Sequence, residues 1–181
     1  MLKLVFVGAQ IATIVGVSYA AQADALSHID YVEPEPLAVL NEEQAQCLAQ
    51  NIYFESRNES YQGQVAVAHV TMNRLRSPDF PDTVCDVVKQ GPLDGSAIRK
   101  NRCQFSWYCD GKADVTPVND TMPEVLAWDT ATLIARLVAG GYTHDITEGS
   151  TYYHAEYVDP FWSDDYTQVA AIDSHLFYVH Y

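Results

Sequence analysis

The stretch NEEQAQCLAQNIYFESRNESYQGQVAVAHVTMNRLR, Asn41 to Arg76, decides the fold class, because it holds two helical patterns broken by one polar turn. Asn41 followed by Glu42 and Glu43 reads as an N-cap with negative charge in the first turn, where the helix dipole favours it. Leu48, Ile52 and Glu55 are spaced i, i+4, i+7, so the glutamate shares a face with two apolar residues. After the turn, Gly63 to Arg76 carries Val65, Ala66, Val67, Ala68, Val70, Met72 and Leu75 around nearly its whole circumference. A helix apolar on all sides is a buried one.

Downstream, Ser77-Pro78-Asp79-Phe80-Pro81 ends that helix, since proline cannot continue the hydrogen-bond ladder. A short helix is expected over Thr83 to Gln90. Gly91 to Asp120, rich in Gly, Pro, Asn and Asp, reads as a long ordered loop of the kind that carries function. Another helix is expected from Pro123, near its first position, to Ala139 before Gly140-Gly141. The period then changes to alternation in STYYHAEYV and QVAAIDSHLFYVHY, which read as two strands forming a small C-terminal β-hairpin. In the first strand Tyr152, His154 and Glu156 share one face. The expected fold class is α+β, mostly helical.

Upstream, residues 1–23 combine Lys3, an apolar run from Leu4 to Val17 and small-residue cleavage patterns, the composition of a signal peptide. An uncleaved signal anchor and a packed N-terminal helix are the alternatives, the run being only marginally long enough to span a bilayer. Residues 24–40, acidic and containing EPEP, read as a linker. The catalytic domain is expected over residues 41–181. The chain of 181 residues, 48% apolar, suffices for one such domain and its core. A charge of −14, from 24 acidic and 10 basic residues, excludes backbone-tracking nucleic-acid binding and speaks against adhesion to anionic membranes. No stable membrane contact after signal cleavage and a monomeric state are expected.

Four cysteines in an exported chain suggest two disulfides. The short spacing in CQFSWYC favours Cys103 with Cys109, which leaves Cys47 for Cys85. A zinc site is the competing use, but close CxxC pairs are absent from the sequence.

Glycoside cleavage needs a carboxylic acid that stays protonated near neutral pH, and an apolar face raises its pKa by desolvation. Glu55 meets that requirement by position. A solvated, inert glutamate at a helix rim has the same periodicity.

The segment Cys47 to Leu75 resembles the cell-wall hydrolases of the SleB type, the spore-cortex-lytic enzyme family. The matching residues are Glu55-Ser56-Arg57-Asn58-Glu59, then Gly63-Gln64, Val65 to Val70 and Asn73-Arg74, with further agreement in FPDTVCDVV, CQFSWYCDG, STYYHAEYVDPFW and IDSHLFY. Ser56 and Asn58 stand where the family has a small residue and glycine, and Ser60-Tyr61 where a proline is usual. Asn58 in the left-handed conformation would preserve a helix-ending turn there.

This resemblance implies a lysozyme-like catalytic core that cleaves peptidoglycan between N-acetylmuramic acid and N-acetylglucosamine, with Glu55 as acid catalyst and no cofactor. Spore-germination members act as lytic transglycosylases. Hydrolysis ordinarily uses two carboxylates, and Glu59, four residues on, is a neighbour whose charge would raise the pKa of Glu55 or hold Arg57 and the turn. One essential acid with the muramyl 6-hydroxyl as internal nucleophile is the favoured reading, and hydrolysis by water stays open.

Trp107, Tyr108, Tyr152, Tyr153, Tyr157 and Trp162 are candidates to floor a saccharide groove, or to pack in the core. His154, matching the family's histidine, is a second substrate-binding candidate, and Gln104 and Ser106 are polar ones. A metal-dependent amidase, with His144, Asp145, His154, Glu156 and His175 as ligands, is a competing reading, although HExxH is missing from the sequence. An inactive wall-binding module is another. The owner is a bacterium remodelling its wall or a phage breaking one with an endolysin; site of action is the periplasm or extracellular wall.

Overall fold

The computed structural model describes residues 40–117 and 120–181, so the expected signal and most of the linker lie outside the described residues. Among the described residues no helix is long and apolar enough to cross a membrane.

Helix α1 spans Glu42–Ser56, capped by Asn41, whose Oδ1 accepts from the Gln44 N–H at 2.9 Å. Its buried residues include Cys47, Leu48, Ile52 and Tyr53. Helix α2, Tyr61–Arg76, begins two residues before the expected Gly63 because the Ser60 side chain caps it, accepting from the Gly63 N–H at 3.2 Å. Every residue from Gly63 to Met72 is buried. The reason is its central position: one side joins the main core with α1, while Ala66 and Val70 meet Phe177 of the C-terminal sheet in a second cluster. Helix α3 is Val84–Val88, capped by Thr83, and α4 is Met122–Ala139 with Pro123 in its first turn.

The turn between α1 and α2 corrects one expectation. Asn58 is not among the residues with positive φ, so α1 does not end on a left-handed residue. Arg57 keeps a helical conformation as C-cap and Glu59 N–H returns to Ser56 O at 2.9 Å.

Within the long loop, two short strands, β1 (Leu93–Asp94) and β2 (Ala97–Ile98), pair antiparallel, and Ser106–Cys109 forms one 3-10 turn. Cys103–Cys109 closes this loop, and Cys47–Cys85 ties α1 to α3. The second bridge closes a separation of 38 residues, which in the chain-entropy view contributes about 4 kcal/mol.

The C-terminal segment holds three strands rather than the expected two: β3 (Tyr152–Ala155), β4 (Thr167–Ile172) and β5 (His175–Val179), antiparallel in the order β3-β5-β4. The run read as one strand reverses at Asp173-Ser174, with Asp173 at φ 50°. Aspartate tolerates that left-handed conformation better than most residues.

This tight turn docks on the α1–α2 turn. Asp173 Oδ2 accepts from Ser60 N–H at 3.0 Å and Ser60 Oγ at 2.6 Å, and Ser174 Oγ donates to Glu59 Oε1 at 2.9 Å. Gly63 permits the approach, since a Cβ there would lie 2.3 Å from Asp173 Oδ2. A second clamp comes from the Asn-Arg pair of α2. Asn73 Nδ2 donates to Asp145 Oδ2 (2.8 Å) and Ser150 O (3.1 Å), while Arg74 Nε donates to Thr151 O (2.7 Å). Together they hold the segment entering β3 and so fix where its side chains start.

Candidate active site

Glu55 sits in the last turn of α1, at the wall of a cavity of about 620 Å³. The helix face that buries Leu48 and Ile52 brings the carboxyl against β3, where the Tyr153 hydroxyl donates to Glu55 Oε2 at 3.0 Å. Burial raises the Glu55 carboxyl above its ordinary value. The Tyr153 hydrogen bond, the Arg74 charge and the Ser106 backbone N–H oppose that rise without cancelling it. Burial, with the Glu55 charge beside it, also holds the Tyr153 phenol well above its ordinary range, so it stays a donor.

The cavity brings together eight of the residues the sequence offers for catalysis or a saccharide groove: Glu55, Gln104, Ser106, Tyr152, Tyr153, His154, Tyr157 and Trp162. Alternation along β3 puts Tyr152 and His154 on one face, where both meet Trp162, at ring-centroid separations of 5.6 and 5.5 Å. The His154 ring is held on both sides. Its Nδ1 donates to Ala155 O at 2.9 Å, since a carbonyl can only accept, and its Nε2 lies 2.9 Å from the Tyr178 hydroxyl. Such a ring is an oriented wall of the cavity.

Three predicted residues, Trp107, Tyr108 and Glu59, stand elsewhere, Tyr108 with its ring 5.9 Å from that of Trp107. Trp107 is buried, stacked on Phe54 at 4.6 Å, with Nε1 donating to Asn51 Oδ1 at 3.0 Å. Asn51 in turn donates to Thr71 Oγ1 at 3.0 Å, so Trp107 closes a buried polar chain between α1, α2 and the 3-10 turn. Glu59 faces the sheet turn through Ser174, and Arg57 pairs with Glu124 of α4 at 3.8 Å rather than with Glu59. Glu55 is therefore the one carboxylate among the cavity's lining residues.

Arg74 is the lining residue that sequence reasoning did not single out for the site, and Tyr153 was read as a groove aromatic, not as a partner of Glu55. Tyr153 was legible only as an aromatic of the strand; its contact with Glu55 spans 98 positions of sequence. Arg74, in the Asn73-Arg74 pair, is 3% exposed yet lines the cavity. Among the described residues no three His, Cys, Asp or Glu side chains converge as metal ligands do.

Comparison with known proteins gives consistent relatives. The sequence profile of the family described as Cell Wall Hydrolase matches residues 58–178. A spore cortex-lytic enzyme of Halalkalibacterium halodurans is 33% identical over 132 residues, 73% of this chain and 33% of that protein. One from Bacillus cereus is 48% identical over 88 residues, 46% of this chain and 30% of that protein. The chain thus spans about a third of the length of these curated relatives. Among solved structures, the catalytic domain of the germination-specific lytic transglycosylase SleB from Bacillus anthracis aligns with a TM-score of 0.57 at 28% identity, over 77% of this chain and 97% of that one. The catalytic domain of Bacillus cereus SleB gives the same TM-score, 0.57, at 30% identity, over 77% of this chain and 91% of that one. The profile match begins at Asn58, downstream of Glu55.

Proposed function

Since the chain belongs to the cell wall hydrolase family, we propose that it cleaves the glycan strand of peptidoglycan at the bond between N-acetylmuramic acid and N-acetylglucosamine, as a lytic transglycosylase with Glu55 as its single acid catalyst. The observation that carries this reading is that Glu55 alone supplies a carboxyl to a cavity large enough for sugar rings, with a phenol on one of its oxygens.

The chemistry follows from that arrangement. Protonated Glu55 gives its proton to the glycosidic oxygen, and the bond from that oxygen to the muramyl anomeric carbon breaks with its electrons going to the leaving sugar. The positive charge left on the ring is captured by the ring's own 6-hydroxyl, whose proton returns to Glu55. The product is a 1,6-anhydromuramyl end, and the enzyme is restored. Water-mediated hydrolysis ordinarily needs a second carboxylate, and Glu59, the sequence candidate for it, is engaged with Ser174. Tyr152, Trp162 and His154 supply rings that pack against sugar faces, with Gln104 and Ser106 as polar contacts.

The likeness to a lytic transglycosylase catalytic domain supports this reading. The reading extends to export under residues 1–23, a linker over 24–40 and action at the cell wall as a monomer. N-terminal sequencing of the exported protein tests the first of these, an uncut Met1 counting against signal cleavage. For the catalyst, turbidity of purified sacculi is followed with the parent and with Glu55→Gln. Loss of turbidity is expected from the parent alone, and equal loss from both removes Glu55 from the mechanism.

A further inference from the structure

Arg74 presents an unresolved expense in the resting protein. Its side chain is 3% exposed, and among the described residues it forms no ion pair with a carboxylate. Nε is bonded to Thr151 O, but Nη1 is buried without any hydrogen-bond partner. The rings of Phe105, Phe80 and Tyr152 lie 4.9, 5.3 and 5.9 Å from the guanidinium carbon. Cation–π contacts of this kind offset only part of the cost of burying an ion without a counter-charge. A structural bond to one carbonyl does not require a guanidinium.

The carboxyl in the same cavity is that of Glu55. We infer that Arg74 is a positioning residue that supplies the counter-charge for the Glu55 carboxylate formed as the proton leaves. With Glu55 protonated, the cation has no anion to balance it; in the transition state, negative charge develops on Glu55 and the pair is made. An interaction stronger in the transition state than in the ground state is one that accelerates the reaction. Nη1 is buried rather than open to the cavity, so on this inference its charge acts on Glu55 and not by contact with the sugar. The inference rests on the reading of Glu55 as the acid.

The titratable and charged groups that line the cavity beside Glu55 are Tyr152, Tyr153 and His154 from β3, Tyr157 just after it, His175 from β5 and Arg74 from α2, with the Ser106 N–H also bonded to the carboxyl. Of these, only arginine keeps its charge at every working pH. The histidines are common to all variants, so differences between variants isolate position 74.

The test is the pH profile of muropeptide release from sacculi by the full chain carrying Arg74→Gln or Arg74→Lys. In Arg74→Gln, kcat should fall roughly ten- to a hundredfold, a part of the roughly 10²–10⁴-fold that general acid catalysis supplies, with KM nearly unchanged. The alkaline limb of kcat/KM should move to higher pH, because the cation holds the acid's pKa down. Arg74→Lys should return the limb toward the parent's position and recover part of the rate. An unmoved limb with activity falling only in step with the folded fraction overturns the inference, as does a rise in KM at constant kcat. If Arg74→Gln does not fold, Arg74→citrulline, introduced by chemical ligation, keeps the planar shape and the Nε donor while removing the charge, and the same limb shift is required of it. Activity in Glu55→Gln would end the proposed function and this inference together, whereas failure of the Arg74 variants alone leaves that function standing.

Discussion

Replacing Tyr153 by phenylalanine removes one hydroxyl, the one that donates to Glu55 Oε2 at 3.0 Å. The ring's stacking on Phe177, at 5.7 Å between centroids, is kept, so the fold should survive. A hydrogen bond between neutral groups is worth about 0.5–1.5 kcal/mol net, and one to a charged group about 1.5–3. The difference, about 1–2 kcal/mol, is the part that grows as Glu55 becomes a carboxylate in the transition state. At 1.36 kcal/mol per factor of ten, kcat should drop about 5- to 30-fold. The same bond lowers the pKa of Glu55, so its loss raises that pKa and moves the alkaline limb of the rate profile upward. Initial rates of muropeptide release from purified sacculi across pH, with thermal melts alongside, measure both effects. A kcat within twofold of the parent and an unmoved limb would refute the reasoning that Tyr153 supports the acid.

Other consequences are separable. Because burial raises the folded-state pKa of Glu55 above its unfolded value, its contribution to stability is complete below the unfolded value and lost as pH rises through the folded one. Glu55→Gln should therefore melt higher than the parent at neutral pH, with the gap closing as pH falls; a lower melting temperature at neutral pH contradicts this. Gly63→Ala forces a Cβ to 2.3 Å from Asp173 Oδ2 and 2.9 Å from Glu59 Cβ, an overpacking cost of about 1–3 kcal/mol that a denaturant midpoint will register. Trp107→Phe leaves Asn51 Oδ1 without its indole partner, so it should lose about 1–3 kcal/mol of stability at unchanged KM. Trp162→Ala should do the reverse, raising KM with little effect on the midpoint, and exchanged outcomes would return Trp107 to the groove.

The helical half of the molecule was legible because its signals are local. Asn41 caps where it stands, α4 starts at a proline and stops at a glycine pair, and the all-round apolar pattern of Val65 to Met72 reports a helix covered on both sides. The sheet was less legible. In QVAAIDSHLFYVHY only Asp173 and Ser174 mark the reversal, and the alternating apolar residues run across it unbroken in composition. The α1–α2 turn misled through Asn58, whose tolerance of positive φ is not used: Ser60 caps the next helix, and Asp173 arrives from 113 positions away to anchor it. At the site, the family resemblance pointed to Glu55 and His154, and residue type to the aromatics Tyr152 and Trp162; all four line one cavity. Tyr153 and Trp107 read alike as groove aromatics, and the structure separates them for a reason periodicity cannot carry. What decides between groove and core is the distant partner, Glu55 for one and Asn51 for the other.

In the proposed mechanism one carboxyl, Glu55, passes a proton to the glycan and takes one back from the sugar's own 6-hydroxyl. Mass spectrometry of the fragments released from purified sacculi tests it most directly. Muropeptides ending in 1,6-anhydromuramic acid, one water lighter than hydrolysis products, are expected from the parent and none from Glu55→Gln. Fragments ending in reducing muramic acid, or anhydro products undiminished in Glu55→Gln, would contradict it.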